Sequence, residues 1–367
     1  SWEKAYQYLK LSGDKTLRTH SRWEVFRFYR EALEALRKLP ESEENKRREV
    51  DVRLSLMGPM MSLAFPEDSL EILQEGERLS RELGDARSLA RFRGGFGNYY
   101  TTQGDRSRAR EYLEDAFQAA DKVQDLDLMA SLGYQICTMY WGQGDYQKLA
   151  EVAPRVIALL ESTQRESQFF GLSSRPYSIL VSSYGLALAG IGKFPEGQAQ
   201  CEKAIRFSTK LNDSGDIAYA ECMYSFLCVY QGDGKRAIEH AEQAITDADP
   251  LQAAAALFIA WHCLGFGHYL LGDYENALKY MEKSREIGRD LGMPDVSIFL
   301  ANLCGVYIEL GDLENARSCA EKALELAQKE QNKYSEGLSS MRLGLTLVMQ
   351  DKSRLAEAEG YILRGMK

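Results

Sequence analysis

Seven cysteines and four histidines are the residues best suited to metal or nucleophilic chemistry, and their spacing supports neither. Cys137, Cys201, Cys222, Cys228, Cys263, Cys304 and Cys319 form no C-x-x-C pair and are odd in number. They read as buried free thiols of a reducing compartment, not as ligands or disulfides. His20, His240, His262 and His268 are too sparse for a metal cluster, so neither a metal nor a cofactor is expected. Gly190-Ile191-Gly192-Lys193-Phe194 and Gly232-Asp233-Gly234-Lys235-Arg236 look like phosphate loops. Both lack the G-x-x-x-x-G-K-[ST] spacing, and neither follows a strand. Gly94-Gly95-Phe96-Gly97 lies in a helical register and lacks the strand that a dinucleotide site needs. There is no H-E-x-x-H, no G-x-S-x-G and no acidic calcium loop. The carboxylates are scattered over polar helix faces with Lys and Arg three or four residues away, which is ordinary surface pairing. The sequon Asn212-Asp213-Ser214 reads as a turn. The chain is not expected to be an enzyme.

What would position any binding residues is a repeat, seen most clearly in Ala260–Ala277, AWHCLGFGHYLLGDYENA. It reads as a helix, a Gly-Asp turn and the start of a second helix. Gly265 makes room for a neighbouring helix, Gly272 ends the first helix in a conformation that side chains resist, and Asp273 caps the second. The turns recur at Gly104-Asp105, Gly144-Asp145, Gly192-Lys193, Gly232-Asp233, Gly272-Asp273, Gly311-Asp312 and Asp351-Lys352, at intervals of 40, 48, 40, 40, 39 and 40 residues. Seven residues before each turn stand Gly97, Cys137, Gly185, Ser225, Gly265, Cys304 and Gly344. Five after it stand Ala109, Leu149, Gly197, Ala237, Ala277, Ala316 and Ala356. Both columns are mostly small. One helix pair cannot bury its apolar stripe alone, so the copies must stack.

This pattern resembles the tetratricopeptide repeat (TPR), with a period near 40 residues instead of about 34 and helices of about 18 residues. The resemblance implies an all-α fold: a right-handed TPR-like superhelical solenoid of about nine helix pairs. Residues 1–85 form two divergent N-terminal pairs. Trp2–Thr19 and Trp23–Leu39 flank a turn at His20-Ser21, and Glu43–Ala64 and Glu67–Leu83 flank Phe65-Pro66. Residues 86–367 form seven TPR-like repeats, all in one continuous solenoid.

Bulk properties agree. The chain has 367 residues, 45% hydrophobic content and eight prolines, and no apolar run of membrane-spanning length or signal-peptide pattern. It reads as cytoplasmic; the absence of Met at position 1 suggests a fragment of something longer or an artificial start, and the absence of a polar capping segment at residue 367 again suggests a cut. A net charge of −9 argues against general affinity for nucleic acid or anionic membranes. Residues 1–53 carry 13 Lys/Arg against 10 Asp/Glu, leaving 32 against 44 for the remainder. The basic end reads as solvated helix surface, or as a feature that orients a partner.

The resemblance also locates a site, because TPR stacks line their concave face with the first helix of each pair. Counting back from each turn places Arg91, Asn98 and Thr101 on that face, then Tyr134, Thr138 and Trp141. Tyr219, Cys222, Phe226 and Tyr230 follow, then Ile259, His262, Phe266 and Tyr269, and finally Met341 and Leu345. Such an aromatic run suits an amphipathic helix or an extended peptide. The other reading is that the rings pack against one another. The Lys/Asn set that clamps a terminal carboxylate in chaperone-binding members is not reproduced, since only Asn98 matches. The 48-residue interval carries an insertion, Glu161–Pro176, with Phe169, Phe170 and Arg175. It either tucks onto the stack or contacts a ligand.

A narrower resemblance rests on Ser12-Gly13-Asp14-Lys15 with Leu17, on Tyr29–Leu39, on Leu39-Pro40-Glu41, and on Asp51-x-Arg53-Leu54. The 40-residue repeats and a longer fourth repeat with Gly171-Leu172 add to it. Together these are similar to the C-terminal TPR region of bacterial multidomain proteins that carry adenylate/guanylate cyclase and AAA-type ATPase domains. This chain has neither cyclase aspartates nor Walker motifs. The resemblance implies a regulatory or docking region that binds a protein or peptide, with homo-oligomerisation possible. The alternatives are a sensor for a small molecule or signalling peptide, and a passive assembly scaffold.

Overall fold

A computed structural model describes residues 1–16, 22–170, 172, 174–248, 254–291 and 295–366. The turn expected at His20-Ser21, Leu17, and Gly171 of the insertion lie outside the described residues. Two compact units divide the chain, Ser1–Leu132 and Gly133–Lys367. The first holds α1 (Trp2–Thr16), α2 (Arg22–Leu36), α3 (Glu43–Ser62), α4 (Ser69–Glu82), α5 (Ala86–Thr102) and α6 (Arg106–Lys122), and the division falls inside α7 (Leu126–Gly142). The second continues with α8 (Tyr146–Ser162), α9 (Pro176–Gly190), α10 (Phe194–Lys210), α11 (Ser214–Gln231), α12 (Gly234–Ala248) and α13 (Ala254–Leu270). It ends with α14 (Tyr274–Asp290), α15 (Ser297–Glu309), α16 (Leu313–Glu330), α17 (Lys333–Gln350) and α18 (Leu355–Gly365). No strand occurs among the described residues.

The turns work as their residues dictate. Gly104, Gly144, Gly192, Gly232, Gly272 and Gly311 all have positive φ, between 68° and 83°, the region that a Cβ penalises. Asp105, Asp145, Asp233, Asp273 and Asp312 each accept a hydrogen bond from the backbone N–H three residues on, satisfying one of the orphan amides of the following helix. The last turn differs. Asp351 has φ −151° and leads through a single 3-10 turn, Lys352–Arg354, into α18. In the N-terminal pairs, α2 ends at Leu36, three residues short of the expected stop, and Lys38 and Leu39 continue only as turn-type bonds to Ala35 and Leu36.

In the second unit, burial separates two layers. On α9, nearly every residue from Pro176 to Ala189 is buried. By contrast, α12 buries only the stripe Gly234, Ala237, Ala241, Ala244 and Ala248. The first helices of successive pairs pack on one another, α9 on α11, α11 on α13, α13 on α15 and α15 on α17. They form the inner layer, and the second helices lie outside with a polar face to water. Small residues set the spacing: a Cβ on Gly265 would fall 2.9 Å from the carbonyl oxygen of Ala277 and 2.7 Å from Cγ of Met281.

Candidate functional site

The inner layer of the second unit collects the aromatic residues that the repeat register places there, and most of them touch each other. Phe226 is 7% exposed, its ring centroid 6.4 Å from that of His262 and 6.3 Å from that of Phe299. His262 is 1% exposed and lies flat on Phe299, with centroids 3.6 Å apart and planes 2° apart. The Nδ2 of Asn302 stands 3.1 Å from Nε2 of His262. An amide nitrogen only donates, so Nε2 accepts and the ring is neutral. Burial pushes its pKa down to about 3. Half-buried Trp141 packs against the same cluster, as do Tyr219 and Tyr230. The hydroxyls of Tyr219 and Ser183 share a 3.2 Å hydrogen bond, and burial raises the Tyr219 pKa far above the ordinary phenol range. Tyr134 is half-buried. Phe266 lies 6.4 Å from His262 and 5.6 Å from Tyr269.

At the turn end of the inner layer, residues distant in sequence meet. The hydroxyls of Tyr146 and Tyr230 are 2.6 Å apart, and Tyr230 lies 6.3 Å from Tyr334, edge to face. Asn332, the N-cap of α17, donates from Nδ2 to the carbonyl oxygen of Gly142 at 3.1 Å. A Cβ on Gly144 would fall 2.9 Å from Oδ1 of Asn332. The α7–α8 corner is thus fastened to the start of α17. Tyr146, Asn332 and Tyr334 were not among the residues singled out from the sequence. Tyr146 and Tyr334 begin helices just past a turn, outside the columns counted back from the turns, so the register gave no signal for them.

The inner face of α17 is different. Tyr334, Met341, Leu345 and Met349 are 48%, 41%, 38% and 48% exposed. At about 100° per residue they share one side of the helix with half-buried Leu338. The opposite side, Leu343 and Leu347, is buried in the stack.

In the first unit, Arg91 is exposed on α5, and Asn98 is half-buried with its Nδ2 3.5 Å from Sδ of Met61. Beside it an aromatic cluster forms that the register transfer missed. Tyr99 meets Phe65 edge-on at 5.5 Å, and Tyr112 stacks on Phe96 at 4.8 Å and on Tyr100 at 5.5 Å.

The insertion is tied down by charge. Arg175 pairs with Asp213, the N-cap of α11, and with Asp216 at 3.4 Å, while its Cζ lies 4.5 Å from the ring of Phe169. Phe169 remains 42% exposed. Phe170 is half-buried, with Arg165 over its ring at 4.8 Å. Burial, reinforced by the Asp213 charge and opposed by Arg175, pushes the Asp216 pKa up to about 6. Tyr177 donates to Glu161 at 2.7 Å, and Lys203 pairs with the same carboxylate.

All seven cysteines are buried free thiols. Burial pushes Cys304 up to about 12 and Cys228 and Cys319 up to about 11, so none of these three is a thiolate at neutral pH. Among the described residues, no group of three His, Cys, Asp or Glu side chains could hold a metal ion, and no helix is long and apolar enough to cross a membrane.

The arrangement defines a stack of helical repeats with an inner layer that is partly self-filled and partly open. A family model for the tetratricopeptide repeat matches residues 301–330, which span most of α15 and all of α16. No curated protein matches the chain. Among solved structures, a Rap protein complexed with Competence and Sporulation Factor is 14% identical, with 99% of this chain and 88% of that one covered and a TM-score of 0.54. The Rap conjugation gene regulator of plasmid pLS20, in complex with the Phr* peptide, is 13% identical over 99% and 94%, with a TM-score of 0.59. A signal transduction ATPase with a tetratricopeptide repeat sensor from Pyrococcus horikoshii is 15% identical over 98% of this chain and 53% of its own length, with a TM-score of 0.53. At these identities the likeness is one of fold.

Proposed function

We propose that the chain is a non-catalytic peptide-binding regulator whose ligand lies against the inner face of α17. The observation that carries this reading is the contrast within one layer. From α9 to α13 the inner side chains are spent on each other, whereas Tyr334, Met341, Leu345 and Met349 present an apolar strip to solvent. An apolar strip on a helix inside a curved stack is the surface that an amphipathic or extended peptide covers. The fold likeness to two proteins described with a bound peptide or factor supports the same choice. Of the residues selected from the sequence, Leu345 with Met341, Tyr269 and Phe266 would meet the ligand. Phe226, His262 and Trp141 would support the wall from behind.

Binding there would act by population shift. Tyr334 and Asn332 belong both to the strip's helix and to the contacts that fasten the α7–α8 corner. A ligand that prefers one spacing of those contacts biases the stack towards it. In a longer protein this bias would be handed to an attached ATPase or nucleotide cyclase, the setting that the N-terminal segment resembles. The self-packed middle of the layer favours a second reading, a passive scaffold that takes no ligand.

The test is capture from the source cell's lysate with the isolated chain, analysed for proteins, peptides and small molecules. The control is Leu345→Lys with Met349→Lys, two exposed positions whose change leaves the core intact. A peptide or protein retained by the wild type and lost in the variant is the expected result. Only a small molecule recovered would move the reading to a sensor, and identical capture by both proteins would leave the scaffold.

A further inference from the structure

Four arginines bury an Nε that finds no hydrogen-bond acceptor: Arg53, Arg175, Arg285 and Arg342. Three of them are nonetheless paired with carboxylates, Arg53 through Nη1 with Glu49, Arg175 through Nη1 with Asp213 and Asp216, and Arg285 through Nη1 with Glu282 and from Nε, at 3.7 Å, with Asp295. Arg342 has no carboxylate at ion-pair distance among the described residues. Its one hydrogen bond runs from Nη2 to the hydroxyl of Tyr269, at 3.1 Å, with Cζ 5.8 Å from that ring's centroid. Residues 54–367 carry 44 acidic side chains against 32 basic ones, so a carboxylate partner was easily supplied, and none is.

The seat of this guanidinium is built into the repeat. Six residues before the turn, successive repeats carry Phe226, Phe266 and then Gly305. A Cβ on Gly305 would fall 2.8 Å from Cζ and 2.8 Å from Nη2 of Arg342. Where the two preceding repeats fill the inner surface with a phenyl ring, this one leaves the backbone bare and lays an arginine from the next helix over it. Arg342 then sits at the edge of the exposed strip, one turn from Leu345 and Leu338 and two turns from Tyr334 and Met349.

We infer that Arg342 is a carboxylate subsite, and that the strip takes a peptide whose acidic group pairs with its guanidinium while apolar side chains cover Tyr334, Leu338, Leu345 and Met349. A guanidinium held flat offers parallel N–H donors that match a carboxylate in a two-bonded pair. Partial removal from water strengthens that pairing, and a ligand carboxylate supplies the counter-charge that the fold omits. This rests on the peptide-binding reading above and gives it a ligand class.

The experiment uses three synthetic mixtures of short peptides with the same random Leu, Ile, Met, Phe and Tyr content. One has a free C-terminus, one is C-terminally amidated, and one is amidated but carries a single Glu. Retention on the immobilised chain is measured for the wild type, Arg342→Gln and Arg342→Lys, after circular dichroism has verified the fold of each. The expected result is that at least one acid-bearing mixture is retained about tenfold or more better than the neutral one. The preference should vanish in Arg342→Gln, with neutral retention unchanged, and return in part in Arg342→Lys. Which acidic mixture wins tells a terminal carboxylate from a side-chain one. Equal retention of all three by the wild type overturns the subsite while leaving peptide binding standing, and needs no variant. An acid preference that survives Arg342→Gln does the same. No retention of any mixture overturns both.

Discussion

Lowering the pH tests whether His262 belongs to the core or faces a ligand. The buried ring titrates near 3 in the folded chain and near 6.5 when unfolded. Between those values the unfolded state binds the proton and the folded state does not, so the ring's contribution is complete above pH 6.5 and is lost as pH falls. The loss is about 1.4 kcal/mol per pH unit, or roughly 3 kcal/mol over the first two units, a large part of a stability of about 5–15 kcal/mol. Asp216 works against it. Its folded pKa is raised to about 6 from an ordinary 3.8, so it destabilises the fold at neutral pH and releases that penalty as pH falls through the same interval. The wild-type profile therefore mixes two slopes of opposite sign, and only a difference between proteins isolates one. His262→Gln removes the titration at the cost of the stack on Phe299, which is a constant offset. Urea midpoints followed by far-UV circular dichroism across pH 3 to 7 should give a difference between wild type and variant that changes by about 1.4 kcal/mol per pH unit below 6.5. Parallel profiles would refute the argument, because they would show that the ring takes up its proton as readily when folded as when unfolded.

Two further outcomes concern the packing of the repeat. Phe226→Ala should cost about 3–5 kcal/mol, as for other buried phenylalanines, and combining it with Trp141→Ala should depart from additivity because both side chains join one cluster; a urea-midpoint loss below about 1 kcal/mol would show that the rings stand free in a groove. Gly272→Ala should cost about 1–2 kcal/mol through its φ of 78° alone, since its Cβ would meet nothing within 4 Å. Gly265→Ala, whose Cβ would run into the backbone of Ala277 and Met281, should cost about 1–3 kcal/mol by forcing α13 from α14, and thermal melts of both variants would rank them.

The helix pairs were legible because their causes are local. A glycine at a left-handed turn, an aspartate one residue later and an alanine on the second helix each do their work within a few residues, so their spacing in the sequence is their spacing in the fold. The inner layer was legible only as a list of members. The register could place Phe226, His262 and Tyr269 on one face, but whether such a face is open depends on how far the stack curls. That curl is set by contacts such as Asn332 to Gly142, which span 190 residues and follow no periodicity. Arg342 lay between the two cases. Its own position, one residue past the counted column, marked it as nothing special. Gly305 was the visible sign, a glycine in a column that the two preceding repeats fill with phenylalanine. A break of that kind says that something else occupies the ring's volume, and long side chains on the next helix are the ones able to reach it. Reading such columns for the member that fails to fill them is a more specific guide to a binding residue than reading them for the members that do, because the rings that fill a column are first of all one another's partners.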